Sequence, residues 1–562
     1  MLSSRQLGAL SHGASQRTRT AEADGSYWVY LYDSLGQVIS GHKFWPDESA
    51  VAGQQFDYVF DNIGNRTQAL AGGDQNGWNQ RVATYNANSL NQYTNRTVPA
   101  YVDIMGLALA TNPVTVNGTT ASRKGEYFRE QVAVGNGSSA VWEGVTNSAA
   151  GQAAVTGHLF VPQTPENFTY DADGNLIKDG RWTYGWDAEN RLTNMTSLST
   201  APAGSQLQLN FVYDYKGRRI QKTVSTNSGL AYVVQSKNAF LYDGWNLIAE
   251  LNVLSTPTLV RSYVWGLDLS GTPQGAGGVG GLLKMTYYGT STTNCFPAFD
   301  GNGDVSALIN ATNASLAAQY EYSPFGELLR ATGLIAKANP LRFSTKYQDD
   351  ETDLLYYGYR FCSPSTGRWV SRDALDGIGA SGLYVCADNC PTTRIDIRGA
   401  MTLREFPQQL PYSPTSGPYT NASGLTWFRF FEPEAKTYKS IETPCCWKIF
   451  LPGHADLYYW WVDPEDKVHE LEHVAVHRAT YHGFKDAASI FVGPCFSECA
   501  ADCLRDVIND SMREAWLALN HVENLEIDCN EYGGRCDEIP GAIDKMQLAW
   551  AALARDLEKC AQ

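Results

Sequence analysis

Two histidines stand four residues apart in the run Val468–Arg478, inside the five-residue sequence His-Glu-Leu-Glu-His. Apolar residues recur through this run at helical spacing, which predicts a helix. Histidines four positions apart lie on one face of a helix, so both rings can bind one metal ion. Glu470, next to the first histidine, can accept a proton from a metal-bound water. The pattern predicts a Zn²⁺ site with His469 and His473 as ligands and Glu470 as the catalytic base.

A second pair of acids, Glu498 and Asp502, lies one turn apart on the helix that is predicted to follow. Together the two segments resemble the gluzincin metallopeptidases, which carry a histidine pair on one helix and a Glu-x-x-x-Asp pair on the next. The resemblance implies that Glu498 is the third zinc ligand and that Asp502 orients a ligand histidine. It also implies that water occupies the open zinc position. We expect the partner of such an effector to be a protein substrate in a target cell.

Short repeats organise the chain before residue 340. An aromatic residue followed by Asp, two further residues and Gly recurs along it. Asp and Gly favour a tight turn, and the alternating apolar residues on either side favour strands, so each unit predicts a β-hairpin. Many hairpins in series form an extended sheet that has to curl or close to hide its edges. The copies begin at Tyr32, Phe60, Tyr170 and Tyr213, with degenerate copies at Trp186, Tyr242 and Phe299.

Residues 342–399 carry a denser pattern of aromatic, acidic and glycine residues. These repeats resemble the YD repeats of the Rhs family, and the pattern that follows them resembles the Rhs-associated core in both order and spacing. The matching positions include Arg342-Phe343, Lys346, Asp349, Glu351–Tyr357, Tyr359–Phe361, Gly367–Trp369, Ser371–Asp373, Gly382–Tyr384, Asn389, Pro391 and Asp396–Gly399.

The Rhs resemblance implies a hollow β shell that is closed by the core and encloses a variable C-terminal domain, commonly a toxin. It also implies that acids of the core cut the chain just beyond the final Asp-x-x-Gly, which here is near Ala400–Met401. Asp373, with Arg372 beside it, is the first expected acid, and Asp388 or Asp396 is the second. Two carboxylates that share a proton can act as acid and base on a water or a peptide carbonyl.

The composition changes after the core. Four prolines with Ser and Gly follow between residues 407 and 418, which is typical of a linker, and an aromatic segment and then helical patterns come after them. We therefore expect a mainly β repeat shell at 1–340, the core at 341–400 and a linker at 401–425. A smaller, mainly α (α+β) zincin-like domain is expected at 426–562.

The charge and the cysteine content of the chain indicate which binding partners and which cellular compartment to expect. The net charge is −16, with −11 falling after residue 400, which argues against a nucleic-acid or anionic-membrane partner. No apolar run approaches the roughly 20 residues that span a bilayer, and the N-terminus does not read as a secretory signal. Eight of the 12 cysteines lie after residue 400, which indicates disulfides. We expect a secreted or cell-surface protein, exported by a specialised route or as part of a longer protein.

These observations predict an Rhs-repeat polymorphic toxin with a zinc-dependent peptidase effector and a cognate immunity protein as its partner. Two alternatives stay open. One is a non-enzymatic surface or secreted Rhs protein for adhesion or carbohydrate contact, with a disulfide-rich C-terminal domain. The other is a toxin whose effector is a histidine-dependent nuclease that uses His473 and His477.

Overall fold

The computed structural model describes residues 10–11, 16–373, 383–399, 402–409, 424–431, 436–439, 447–450, 454–461, 521 and 538–560. Across these residues the chain is mostly antiparallel β-sheet, with few helices. This confirms the predicted β-rich fold of the repeat region.

The first sheet is a meander in which each strand pairs with the next along the chain. A ninth strand pairs with the eighth after a long excursion of the chain. The eight consecutive strands are β1 (Leu10–Ser11), β2 (Arg17–Ala21), β3 (Tyr27–Tyr32), β4 (Val38–Phe44), β5 (Ala50–Phe60), β6 (Arg66–Gly72), β7 (Gln80–Ala87) and β8 (Tyr93–Arg96).

The excursion builds a separate β unit with its own small apolar core around Ile104, Val116 and Phe128. Its seven strands form two small sheets, and the chain then returns to pair with β8. The strands are β9 (Tyr101–Leu107), β10 (Val114–Val116), β11 (Thr119–Thr120), β12 (Ser122–Lys124), β13 (Tyr127–Ala133), β14 (Val141–Ala149) and β15 (Val155–Val161), followed by β16 (Glu166–Asn167) in the first sheet.

The second sheet contains fourteen antiparallel strands, again with each paired to the next. One face carries a continuous apolar core that includes Leu209, Met285 and Leu308, all fully buried. The strands are β17 (Thr169–Tyr170), β18 (Leu176–Lys178), β19 (Trp182–Trp186), β20 (Leu192–Ser197), β21 (Leu207–Tyr213), β22 (Arg219–Asn227), β23 (Tyr232–Asp243), β24 (Asn246–Asn252), β25 (Thr258–Trp265), β26 (Leu282–Tyr288), β27 (Thr292–Phe299), β28 (Val305–Asn310), β29 (Leu316–Tyr322) and β30 (Leu328–Thr332).

The aromatic-Asp-x-x-Gly units form the hairpin turns, as the sequence predicts. In the turn after β3, one carboxylate oxygen of Asp33 accepts hydrogen bonds from the backbone N–H groups of Leu35 and Gln37, both at 2.9 Å. Gly36 adopts a φ of 80°, which a residue with a side chain rarely does. The side chain of Gln37 donates to the other carboxylate oxygen at 2.8 Å. One aspartate therefore satisfies the turn and fixes the register of the two strands.

The core segment packs onto the apolar face of the second sheet, because its Tyr347, Tyr356 and Phe361 belong to the same buried cluster. Its short strands are β31 (Tyr347–Gln348), β32 (Leu355–Tyr356), β33 (Phe361–Ser363) and β34 (Arg368–Trp369), and its 3-10 turns are Phe343–Thr345 and Ala387–Asn389. A further 3-10 turn, Ala336–Ala338, lies between β30 and the core.

Arg219 on β22 ties the second sheet to the core segment. It is 1% exposed, and its Nη1 donates to a carboxylate oxygen of Asp349 at 2.5 Å. Its guanidinium lies 4.7 to 5.7 Å from the centres of five aromatic rings. Lys222 donates to the other oxygen of Asp349 at 2.9 Å. The core is thus held by a buried ion-pair network as well as by apolar packing.

After the core, β35 (Ile395–Asp396) pairs with β36 (Thr402–Gln409), and β36 runs parallel to β40 (His454–Trp461). The range expected to be a linker, 401–425, therefore contains β36 and the start of β37 (Gly424–Phe431), because both pair with neighbouring strands. The other elements are β38 (Lys436–Lys439), β39 (Trp447–Phe450) and α1 (Ile539–Cys560). The helices expected around residues 469–520 lie outside the described residues, so the mainly helical zincin-like domain stays a prediction.

Candidate active site

Arg360 brings together two of the acids that were predicted from the sequence. Its side chain is buried, and the guanidinium lies 4.2 Å from the ring centre of Trp369. Its Nη2 lies 2.8 Å from a carboxylate oxygen of Asp373 and 3.7 Å from a carboxylate oxygen of Asp396. Its Nε donates to the carbonyl oxygen of Gly399. One guanidinium therefore joins both acids to the residue just before Ala400.

The backbone from Asp396 to Gly399 forms a tight turn. A carboxylate oxygen of Asp396 accepts a hydrogen bond from the N–H of Gly399 at 2.7 Å. Gly399 has a φ of 74°, and a β-carbon there would lie 3.1 Å from the backbone nitrogen of Arg360. This position thus requires glycine both for its conformation and for the close approach of Arg360.

A second basic residue also holds this turn. Lys346, which is buried, donates to the carbonyl oxygens of Ile397 at 2.9 Å and Gly277 at 2.8 Å. A β-carbon on Gly277 would lie 2.0 Å from the Ile397 oxygen, so only glycine fits against the turn. Burial lowers the pKa of Lys346 to about 8, although the nearby Asp396 opposes the change. The group can therefore exist in either protonation state near neutral pH.

The described geometry separates the two candidates for the second acid. Asp396 lies beside Arg360, whereas Asp388 lies in the turn Ala387–Asn389 and forms an ion pair with Arg394 at 2.9 Å. Arg372 packs against the hairpin turn at Gly174, where a β-carbon would lie 3.0 Å from that of Arg372.

Neither Arg360 nor Lys346 is marked as functional by the sequence pattern. Both belong to the core pattern, but a pattern of paired acids contains no basic residue. The feature of the sequence that indicates a buried cation is the neighbouring residues, because each cation stands among aromatic and apolar residues, such as Tyr359 and Phe361 around Arg360. A buried cation requires a partner, and here the partners are the acids and carbonyls of the site.

The predicted zinc site lies outside the described residues, so its ligands stay a prediction: His469, Glu470, His473, Glu498 and Asp502. Within the part of the chain that the structure describes, no group of three His, Cys, Asp or Glu side chains is arranged to hold a metal ion. Among those same residues, no helix is long and apolar enough to cross a membrane.

Comparison with known proteins places this chain beside toxins. It is 29% identical over 239 residues to a tRNA3(Ser)-specific nuclease WapA of Bacillus spizizenii, covering 42% of this chain and 9% of the relative. It is 27% identical over 265 residues to the double-stranded DNA deaminase toxin A of Burkholderia cenocepacia, covering 44% and 18%. It is 24% identical over 434 residues to the toxin protein Tse5 of Pseudomonas aeruginosa, covering 69% and 28%.

The chain thus spans less than a third of the length of each of these relatives. No family model matches. Among solved structures, the crystal structure of TcdB2-TccC3-Cdc42 is 18% identical, with a TM-score of 0.33, and the match covers 70% of this chain and 19% of that one.

The comparisons correct the predicted enzyme class. The relatives that are named for an activity are nucleases and a DNA deaminase, and none of those described above is a metallopeptidase. The prediction of a zinc metallopeptidase is therefore wrong. The expectation of no nucleic-acid partner also loses support, because these relatives are named for acting on tRNA and DNA. What holds is the coarser prediction that the chain resembles polymorphic toxins.

Proposed function

We propose that this chain is part of an Rhs-type polymorphic toxin whose core cuts its own backbone near Ala400–Met401 and so releases the segment that follows. The observation that carries the proposal is the guanidinium of Arg360, which binds Asp373, Asp396 and the carbonyl of Gly399 together. The proposed scissile bond lies directly beyond this group in the sequence.

The chemistry needs one carboxylate as a base and one as an acid. The ionised member of the Asp373–Asp396 pair takes a proton from water as the water attacks the carbonyl carbon of Ala400. The protonated member donates its proton to the carbonyl oxygen as the water adds, which gives a tetrahedral diol. The member that took the water proton then passes it to the leaving nitrogen of Met401, while the other member recovers a proton from the diol. The peptide C–N bond breaks, which leaves a carboxyl group on Ala400 and an amine on Met401. Arg360 is a positioning residue, because it aligns both acids and holds the preceding carbonyl.

The pairing of β35 with β36 supports this placement. Asp396 lies opposite Thr402 in that pairing, so the bond between Ala400 and Met401 belongs to the short connection between the two strands. The acid that has to act on this bond is therefore close to it along the chain and across the hairpin. Ala400 and Met401 themselves lie outside the described residues.

The test is self-cleavage of the purified full-length chain, followed on a denaturing gel and by mass spectrometry of the fragments. We expect fragments that end at Ala400 and begin at Met401, and we expect Asp373→Asn to abolish them. Asp350→Asn is the matched control, because Asp350 is a half-exposed acid of the core that pairs with Arg342 instead. Equal cleavage of the Asp373→Asn and control chains would overturn the proposal.

A nucleic acid is the target class that the named activities of the relatives favour for the released segment. Residues 401–562 carry a net charge of −11, so we expect weak binding, because this charge repels the phosphate backbone. The assay incubates the chain with tRNA, plasmid and double-stranded DNA and measures strand cleavage and deamination. His473→Ala and His477→Ala test the nuclease alternative, with His158→Ala of the repeat region as the control. No change in any nucleic acid would refute this target class.

A cognate immunity protein is the partner that such an activity requires. It is expected to bind residues 401–562 and to protect the producing cell. Co-expression of a neighbouring gene product that restores growth, and that co-purifies with this chain, would identify it. Secretion or surface display stays a prediction.

A further inference from the structure

Two buried thiols of the core face each other. Cys362 lies on β33 and Cys386 lies directly before the 3-10 turn Ala387–Asn389, and their sulfur atoms are 3.1 Å apart. The two residues are 2% and 4% exposed. This separation is about 1 Å longer than a disulfide bond, whose sulfur atoms lie about 2.05 Å apart.

The backbone on both sides of the pair is held in place. Cys362 pairs with Trp369 on β34. On the other side of β34, Arg368 bridges Val385, and the N–H of Trp369 donates to the carbonyl of Tyr384 at 2.9 Å. The segments that carry the two cysteines therefore flank one strand. Closing the remaining gap requires the two sulfur atoms to approach each other by about 1 Å.

We propose that Cys362 and Cys386 form a disulfide when the chain folds in an oxidising compartment. The oxidant is a disulfide of another molecule, either a small thiol compound or an oxidoreductase. One cysteine thiolate attacks this disulfide and forms a mixed disulfide, and the second thiolate then displaces the remaining thiol. Two S–H bonds are lost and one S–S bond forms, while the oxidant takes up two electrons and two protons and leaves as two thiols.

The setting of the pair decides when the bond forms. The hydrogen bond that the Cys386 thiol shares with Cys362, together with burial, raises the pKa of Cys386 well above its ordinary value. Since the thiolate is the reactive form, the folded and reduced pair reacts slowly with an external oxidant. The crosslink therefore forms while the chain folds, before both thiols are buried. Once formed, it is protected from external reductants by the same burial.

The crosslink would join two parts of the core that contact different partners. Cys362 follows Arg360 by two residues on the strand next to the candidate active site. Cys386 leads into the turn where Asn389 donates to the side chain of Gln37 at 2.7 Å and to the carbonyl of Gly64 at 2.8 Å in the first sheet. The disulfide thus connects the acid site to the docking contact with the first sheet. Its formation does not depend on the proposed self-cleavage.

The test compares the full-length chain made in a reducing cytoplasm with the chain made in an oxidising one. Free thiols are alkylated under denaturing conditions without reduction, and the peptides are mapped by mass spectrometry. We expect a peptide in which Cys362 is linked to Cys386, lighter by two hydrogens than the sum of its parts, in the oxidising preparation alone. Cys295→Ala is the control, because Cys295 is a fully buried thiol of β27 outside the pair.

Two outcomes would overturn the proposal. One is alkylation of both Cys362 and Cys386 in the oxidising preparation. The other is linkage of either residue to a different cysteine. Thermal unfolding gives a second readout: the oxidised wild-type and Cys295→Ala chains unfold at a higher temperature than their reduced forms. The shift is smaller in the Cys362→Ala chain, where only the other cysteines can respond to oxidation, and a shift equal to that of Cys295→Ala would also contradict the assignment.

Discussion

Asp304 occupies a turn position at which five other repeat turns carry a side chain that donates a hydrogen bond. In five turns, the residue four positions after the turn aspartate donates a side-chain hydrogen bond to that aspartate's second oxygen. These donors are Gln37, Asn65, Asn175, Arg191 and Arg218. In the turn after β27 the aspartate is Asp300 and the residue four positions later is Asp304. An ionised Asp304 has no proton to donate, so only its neutral form can complete the turn.

The surroundings favour that neutral form. Asp304 is buried, and burial followed by the charge of Asp300 raises its pKa well above the ordinary value. One oxygen of Asp304 accepts the N–H of Ser344 at 2.6 Å. Arg17 lies 3.3 Å from Asp300, and the nearby Glu22 has a raised pKa for the same reason, burial. The turn therefore contacts the first sheet through Arg17 and the core through Ser344, while the Asp304 proton completes the contact between Asp304 and Asp300.

The sign of the pH dependence follows from the raised pKa. The unfolded chain loses the Asp304 proton near pH 4, whereas the folded chain keeps it to a higher pH. Because the folded state then binds more protons, its stability falls as pH rises from about 4 through the folded pKa. Asp304→Asn supplies an amide N–H at every pH and keeps an oxygen for Ser344. We expect it to be more stable than wild type at pH 8, because wild type loses about 1.4 kcal/mol for each pH unit between the unfolded and the folded pKa of Asp304, and the amide does not titrate.

Urea unfolding at pH 4, 6 and 8, followed by circular dichroism, measures this effect. The stability difference between Asp304→Asn and wild type should grow with pH. Asn175→Asp makes the converse change in a buried turn and should lose stability as pH rises, because it introduces the acid that Asp304→Asn removes. Two results would refute the reasoning. One is a stability difference between Asp304→Asn and wild type that is constant with pH, and the other is an Asp304→Asn chain that is less stable than wild type at pH 8.

Two further predictions concern the core. Arg219→Met leaves a buried carboxylate without its main partner and should destabilise the chain by about 3–5 kcal/mol in urea unfolding. Arg218→Met, which removes a more exposed ion pair, should cost less than about 1 kcal/mol, and equal losses would contradict the assigned network. Gly277→Ala should displace the turn at Ile397 and slow self-cleavage. Gly151→Ala is the control and should leave cleavage unchanged, because Gly151 is also at positive φ but a β-carbon there would meet no other atom. If Gly277→Ala and Gly151→Ala slowed cleavage equally, backbone strain and not the contact with Ile397 would be the cause.

The sequence predicted those features of the fold that are local. The hairpins follow from residues within five positions of one another, as in the turn from Tyr32 to Gln37, so their chemistry is visible in the pattern. The β unit between β8 and β16 was not predicted, because nothing near Arg96 indicates that its partner strand begins at Glu166. That pairing depends on packing between distant parts of the chain.

The candidate site shows the same limit. Spacing could not decide between Asp388 and Asp396, because the choice depends on where Arg360 lies in the folded core. The acids Asp373 and Asp396 came from a pattern, but the cation that joins them did not. The motif around Glu470 predicts which side chains share a helix face, yet it does not determine the reaction. A short motif therefore predicts which side chains lie together but not which reaction they carry out.

The central claim, that the core cuts its own backbone with the acids held by Arg360, is tested most directly by comparing self-cleavage of Asp396→Asn with self-cleavage of Asp388→Asn. Both substitutions remove one carboxylate of the core and keep its size, and of these two acids Asp396 is the one that lies beside Arg360. Our account predicts that wild type and Asp388→Asn yield a fragment beginning at Met401, whereas Asp396→Asn stays whole. A chain that remains whole in all three preparations, or that is cut equally in Asp396→Asn, would contradict it.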